Sequence, residues 1–304
     1  MNTPKVIAVV GPTASGKSAL GVFLAQKLRR LPAGRQGEII SADSRQVYRG
    51  MRVISRAGRG HMVGIADPRR QFSAGEYVRR ATRCIDVMIH GNKVPIVVGG
   101  TGLYADALLG RMPLPQVPPD RALRAALRKR TAPQLMAQLR RLDPARAAQV
   151  DPHNKVRLMR AVEIAKGIRS RSAKSDGKAW PSGLERRRDG TPAEYQVLWL
   201  GLREPKNLKK SVEARLKRGM VAEAKKLRAA LPRRRYRELG FEFDLLADYL
   251  DKRISKIELA EKLTNGERKY AVRQMRWFRR NKDIRWVGGK AEALRLAKKF
   301  LGGR

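Results

Sequence analysis

The chain has 304 residues, with 68 Lys and Arg against 27 Asp and Glu and a formal net charge of +41. That imbalance excludes a surface of evenly mixed charge and points to a polyanionic partner, nucleic acid ahead of an anionic membrane. A single cysteine, Cys84, excludes an internal disulfide and fits a reducing cytoplasm, where it reads as a small core residue and not a nucleophile.

The first element is the β-branched run 6–10, read as a buried strand. Gly11-Pro12-Thr13-Ala14-Ser15-Gly16-Lys17-Ser18 follows it and completes the pattern G-x-x-x-x-G-K-[ST]. Residues 19–28 then read as a helix. Strand, glycine loop and helix start together make a nest of backbone N–H groups that holds a chain of phosphates. Lys17 adds a point charge, and the Ser18 hydroxyl is positioned to ligate Mg2+. Only five residues precede the strand, so no signal peptide is expected, and no apolar stretch is long enough to span a bilayer. Segment 31–37 reads as a loop insertion without a functional account.

A second strand is expected over 38–42, ending at Asp43-Ser44. Ser73-Ala74-Gly75-Glu76 has the form of a capping box opening a helix to about Ile89. A third strand, 94–98, stops at Gly99-Gly100-Thr101-Gly102. Strands alternating with helices argue an α/β fold, a P-loop core with a parallel sheet flanked by helices, with ligands at the carboxyl ends of the strands. Phosphate loop, Asp43-Ser44 and Gly99–Gly102 converge there.

Prolines 113, 115, 118 and 119 make a stiff connector. From 120 to about 168 the pattern is helical with a basic face that includes Arg121, Arg124, Arg128, Arg140, Arg141, Arg157 and Arg160. Residues 169–191 are rich in Ser, Arg, Lys and Gly and read as a mobile loop. A strand returns over 195–200, Lys- and Arg-rich helices follow, and the last strand is expected at 284–287. The domains are therefore read as a P-loop core over 1–112, an all-helical insertion over 113–194, and a return to the core over 195–304.

Five stretches in this order carry a family resemblance: the phosphate loop, S-A-D-S-R-Q-V-Y at 41–48, V-G-G-T-G-L-Y at 98–104, R-L-M-R-A-V-E at 157–163 and R-Q-M-R-W-F at 273–278. The chain resembles the tRNA dimethylallyltransferases over nearly its full length. The resemblance implies transfer of a dimethylallyl group from its diphosphate to N6 of the adenosine 3′ of a tRNA anticodon. The phosphate loop, Gly11 to Ser18, would then hold the donor's diphosphate and not ATP. The adenine amine is a weak nucleophile that needs a base, and Asp43 is the candidate; a turn cap or a magnesium ligand is its other reading. Arg215 matches the family's diphosphate clamp and Thr101 a threonine beside the reacting adenosine. Contacts with the anticodon stem-loop are expected from Asp43, Ser44, Arg45, Gln46, Thr101, Arg124, Val156, Arg157, Leu158, Met159, Arg160, Arg237 and Gly240. A buried donor implies that the target base flips out of its stack.

Three departures stand out: Ser211 where an arginine is usual, a turn missing between Arg215 and Glu223, and Glu242 where the family has a basic residue after Gly240-Phe241. The expectations that follow are Mg2+ as cofactor, tRNA and dimethylallyl diphosphate as partners, no membrane, and a cytoplasmic monomer. His61, His90 and His153 lack ligand spacing and read as structural. A P-loop small-molecule kinase and a prenyltransferase acting on free adenosine phosphates are the competing readings.

Overall fold

The computed structural model describes residues 3–28, 36–115, 117–172, 194–204 and 207–302. They fall into two compact units, one formed by Met1–Met112 with Glu185–Arg304, the other by Pro113–Leu184. In the first unit the chain runs β1 (Lys5–Val10), α1 (Lys17–Leu28), β2 (Gly37–Ser41), α2 (Ala74–His90), β3 (Val94–Gly99) and α3 (Gly102–Leu108). The second unit holds α4 (Arg121–Arg128), α5 (Ala132–Leu142), α6 (Pro144–Ala147) and α7 (Lys155–Ser172). Back in the first unit come β4 (Gln196–Gly201), α8 (Leu208–Lys217), α9 (Met220–Ala230), α10 (Arg233–Glu238) and α11 (Phe241–Leu250). Then follow α12 (Lys256–Phe278), β5 (Arg285–Trp286) and α13 (Lys290–Leu301).

The five strands form one sheet in the order β2-β3-β1-β4-β5, and every pairing is parallel. Parallel strands need covered faces, which is why β1 and β3 read as unbroken apolar runs. Ile7, Val9, Ile96, Val98, Leu198 and Leu200 pack with Leu20 and Leu24 of α1 in the main core. With all strands pointing one way, the loops after β1, β2, β3 and β4 leave from the same edge. Backbone bonds tie two of them together: Ala42 N–H donates to Val98 O at 2.8 Å, and Thr101 N–H to Ala42 O at 3.1 Å. Gly99 permits this approach, since a Cβ there would lie 2.0 Å from the Ala42 carbonyl oxygen.

Ser73 caps α2, its Oγ accepting from Glu76 N–H at 3.1 Å. Glu76 does not return the bond as a full capping box requires; it pairs with Arg80 one turn on, at 2.7 Å. Two other sequence expectations need correction. Helix α7 continues through Ser172, so residues 169–172 are helical where a loop was expected, while 173–191 lie outside the described residues. The final strand is two residues, 285–286, and not four. Of the 31–37 insertion, 31–35 also lie outside the described residues. No helix among the described residues is long and apolar enough to cross a membrane.

Candidate active site

The phosphate loop leaves β1 at Gly11 and turns through Ala14, which takes a left-handed φ of 58°. Lys17 opens α1, and its ammonium donates back to Pro12 O at 3.0 Å. Burial pushes its pKa down to about 8; the nearby Asp43 carboxylate opposes that shift and Arg56 adds to it. The Ser18 hydroxyl is exposed beside it.

Asp43 sits just beyond β2. Its Oδ1 accepts from the backbone N–H of Arg45 at 2.9 Å and of Gln46 at 3.3 Å. The turn-cap reading is therefore correct for one oxygen. Among the described residues Oδ2 has no hydrogen-bond partner, and Asp43 lines a cleft with Thr13, Lys17, Arg56, Glu267 and Tyr270. One carboxylate thus has a structural oxygen and an oxygen available for chemistry. Thr101, the N-cap of α3, meets the same turn: its Oγ1 accepts from Ser44 N–H at 3.0 Å and donates to Ser44 Oγ at 3.3 Å. Phosphate loop, Asp43 and Thr101 are brought together as the sequence leads one to expect.

Helix α12 carries the R-Q-M-R-W-F stretch, to which the sequence assigned no role, together with Glu267 and Tyr270, which no motif marked. Gln274 bridges two loops, its Oε1 accepting from Thr13 N–H at 2.7 Å and its Nε2 donating to Gly100 O at 2.8 Å. Trp277 donates to Asp106 Oδ2 at 2.7 Å, which docks α12 on α3. Tyr270 lines the cleft, and burial, with the Asp43 carboxylate nearby, raises the pKa of its hydroxyl. Glu267, Tyr270, Gln274 and Trp277 are spaced three, four and three residues apart, so they share one face of the helix. A polar stripe at that period was the available signal.

Arg45 is not an open RNA-contacting residue. Its guanidinium lies over the Phe241 ring at 5.3 Å and the Tyr270 ring at 5.0 Å, and it is ion-paired with the buried Glu242. Gly240, at φ +147°, leaves room for it, since a Cβ there would approach Arg45 Nη2 to 3.0 Å. The acidic residue that departs from the family pattern therefore neutralises a half-buried arginine. Gln46 is also occupied: Ser41 Oγ donates to its Oε1 at 2.8 Å, and its Nε2 donates to Ser55 O at 3.2 Å.

Arg215 likewise departs from its expected role as an open clamp. Only 3% exposed, it pairs with Glu267 through Nη2 and donates to Ile54 O at 3.0 Å through Nη1. Burial, helped by Arg56, lowers its pKa to about 10. At Ser211, where arginine was expected, the hydroxyl accepts from Arg56 Nε at 3.1 Å. Arg237 is on the surface, 3.4 Å from Asp244.

In the helical unit, Leu127, Leu135, Leu139, Leu158 and Val162 form a separate core. Glu163, 1% exposed, accepts from Asp120 N–H at 2.7 Å, from Arg124 Nε and Nη2 both at 2.8 Å, and from Arg160 Nη1 at 2.5 Å. Burial alone would raise its pKa, but these donors outweigh it and hold the carboxyl below its usual range. Arg124 and Arg160 are thus spent on a buried carboxylate, and Leu158 is a core side chain. Val156 and Arg157 are exposed, with Met159 half-buried. Neutralising Arg157 is expected to flatten the dependence of log affinity for tRNA on log salt by roughly 0.7–0.9 per phosphate contact. Arg160→Gln should instead lower the melting temperature and leave that slope nearly unchanged. The opposite pattern in a salt titration would reverse the two roles.

These features have close parallels among known proteins. The family model described as IPP transferase matches residues 46–281. A tRNA dimethylallyltransferase of Pelotomaculum thermopropionicum is 36% identical, the match covering 93% of this chain and 90% of that protein. The chain belongs to the IPP transferase family. A tRNA dimethylallyltransferase 1 of Geotalea uraniireducens is 32% identical over 97% of this chain and 96% of its own. The crystal structure of a tRNA isopentenylpyrophosphate transferase from Bacillus halodurans superposes with a TM-score of 0.64 at 28% identity. That match covers 98% of this family member and 95% of the crystallised chain. The comparisons favour a transferase acting on tRNA over the small-molecule kinase reading.

Proposed function

We propose that this family member transfers a dimethylallyl group from dimethylallyl diphosphate to N6 of the adenosine 3′-adjacent to the anticodon of tRNA. The observation that carries the reading is the meeting of Lys17, Asp43 and Thr101 at the ends of three neighbouring parallel strands. The diphosphate lies on the phosphate loop, where the N–H groups at the start of α1 and the Lys17 ammonium take up the charge that grows as the carbon–oxygen bond breaks; Pro12 has no N–H to offer, and that of Thr13 is held by Gln274. The adenine nitrogen forms its bond to the donor carbon, and the bonding electrons leave with diphosphate. Asp43 Oδ2 takes the amine proton, while Oδ1 keeps its turn fixed. Thr101 orients the base beside Ser44.

Magnesium fits this site through Ser18, an exposed residue in the first turn of α1. No cluster of three His, Cys, Asp or Glu among the described residues could cage a metal, so most ligands would be diphosphate oxygens and water, the usual habit of Mg2+. Bound there, it would neutralise charge on the leaving group. The large positive charge supplies the attraction for RNA, with Arg157 and Arg237 among its surface contributors. The protein acts as a monomer in the cytoplasm.

Incubation with an anticodon stem-loop, dimethylallyl diphosphate and Mg2+, followed by mass spectrometry of the nucleosides, is expected to show adenosine carrying one five-carbon group. Equal modification of free AMP, with tRNA ignored, would overturn the RNA part of the reading.

A further inference from the structure

Arg56 was not singled out by any motif, yet three elements hold the turn that presents it. Glu223 accepts from Val53 N–H at 3.0 Å and from Ile54 N–H at 2.7 Å. Arg215 holds Ile54 O, and Gln46 reaches Ser55 O. Arg56 itself takes a left-handed φ of 54°, an uncommon state for a large side chain and one that persists only where the surroundings enforce it.

From that turn the guanidinium enters the cleft. Nη1 donates to Thr13 Oγ1 of the phosphate loop at 2.5 Å, Nε to Ser211 Oγ at 3.1 Å, and Nη2 to Glu267. A guanidinium has five N–H donors. Three are used among the described residues, so two are left beside Lys17. Charge points the same way. Arg56 and Arg215 share the single carboxylate of Glu267, while Glu242 is committed to Arg45. With Asp43 set against Lys17, the cleft and the buried Arg215 behind it hold four cations against three carboxylates, and the one positive charge in excess favours an anion there.

We propose that Arg56 is a direct ligand of the donor's diphosphate, taking the place at the cleft that Ser211 leaves open and that the buried Arg215 does not fill. The proposal rests on the prenyl-transfer reading. It assigns Arg215 and Glu223 to positioning: they fix the turn, and the turn aims Arg56.

The test is calorimetric titration with inorganic pyrophosphate in the presence of Mg2+, paired with the KM for dimethylallyl diphosphate and the Kd for tRNA. Arg56→Gln removes the charge. Arg56→Lys keeps a cation for Glu267 but replaces the five-donor fork, which meets Thr13, Ser211 and Glu267 from three nitrogens, with one ammonium that cannot serve those partners and the diphosphate together. Both variants are expected to bind pyrophosphate about 10–100-fold more weakly, the usual worth of hydrogen bonds to a charged group. The donor KM should rise in step and the tRNA Kd stay constant. Arg56→Lys decides the matter if Arg56→Gln fails to fold. Pyrophosphate affinity within twofold of wild type in the folded variants would overturn the proposal, as would a loss confined to tRNA binding. Pyrophosphate titration needs no RNA. A wild-type protein that binds it but fails to prenylate tRNA overturns the transfer reading and leaves Arg56 to be judged on the variants.

Discussion

Asp43→Asn is expected to lower the single-turnover rate by about 10²–10⁴ while tRNA and donor affinities stay close to wild type. The expectation follows from the division of labour between the two carboxylate oxygens. Oδ1 caps the turn through Arg45 N–H and Gln46 N–H. An asparagine carbonyl accepts the same two bonds, and asparagine is as good a cap as aspartate. The turn should therefore persist, and with it the hydrogen bond from Ser44 N–H to Thr101. At the second position the substitution puts an amide that cannot take a proton. Asp43→Ala, by contrast, removes the cap as well, so it should add a loss of thermal stability to the loss of rate. Full single-turnover activity in Asp43→Asn would end the general-base assignment. Loss of donor or tRNA binding in that variant would make Asp43 a structural or metal-holding residue.

Much of this site was legible because it is local in sequence. The phosphate loop is a contiguous pattern whose backbone conformation is set by its own glycines, and it sits between a strand and a helix that their apolar residues specify. Asp43 and Thr101 follow apolar runs, so the parallel topology alone places them at one edge. What stayed hidden is what depends on pairing across long separations. Thr13 and Gln274 are 261 positions apart, and Arg45 and Glu242 are 197 apart. Nothing at residue 45 signals that its charge is neutralised by an acid far along the chain, so an exposed RNA contact was the natural expectation. In the same way Arg160 has Glu163 within reach three residues on along one helix, but nothing in the sequence shows that this carboxylate is buried or that Arg124, 39 positions away, shares it. Glu163 lies on α7 with an apolar face around it, and a charged residue there needs partners to be buried at all. That rule, applied at the sequence, would have claimed Arg160 for the fold.

Lys17 gives the second large effect, and it is read through pH. Burial sets its pKa at about 8 in the ligand-free protein. The charged ammonium is the form that binds diphosphate, so it predominates below pH 8 and is lost above it. Affinity for pyrophosphate should accordingly fall by roughly tenfold per pH unit once pH exceeds 8, by linkage of one proton to binding. Bound diphosphate, an anion beside the ammonium, favours the charged form and so raises this pKa in the complex. Lys17→Met retains much of the side chain's apolar bulk without the charge. It should bind pyrophosphate about 10²–10³-fold more weakly at pH 7 and lower the rate, the scale seen when one preorganised donor to a developing anion is removed. Its remaining pH dependence then reports the ligand's own ionisation, and the difference between the two curves isolates Lys17. That difference should begin to fall near pH 8, the pKa of Lys17 before diphosphate binds. Because Arg56 contributes to depressing the Lys17 pKa, Arg56→Gln should move that break upward. Parallel curves for wild type and Lys17→Met from pH 7 to about 9.5 would show that Lys17 does not hold the diphosphate in its charged form.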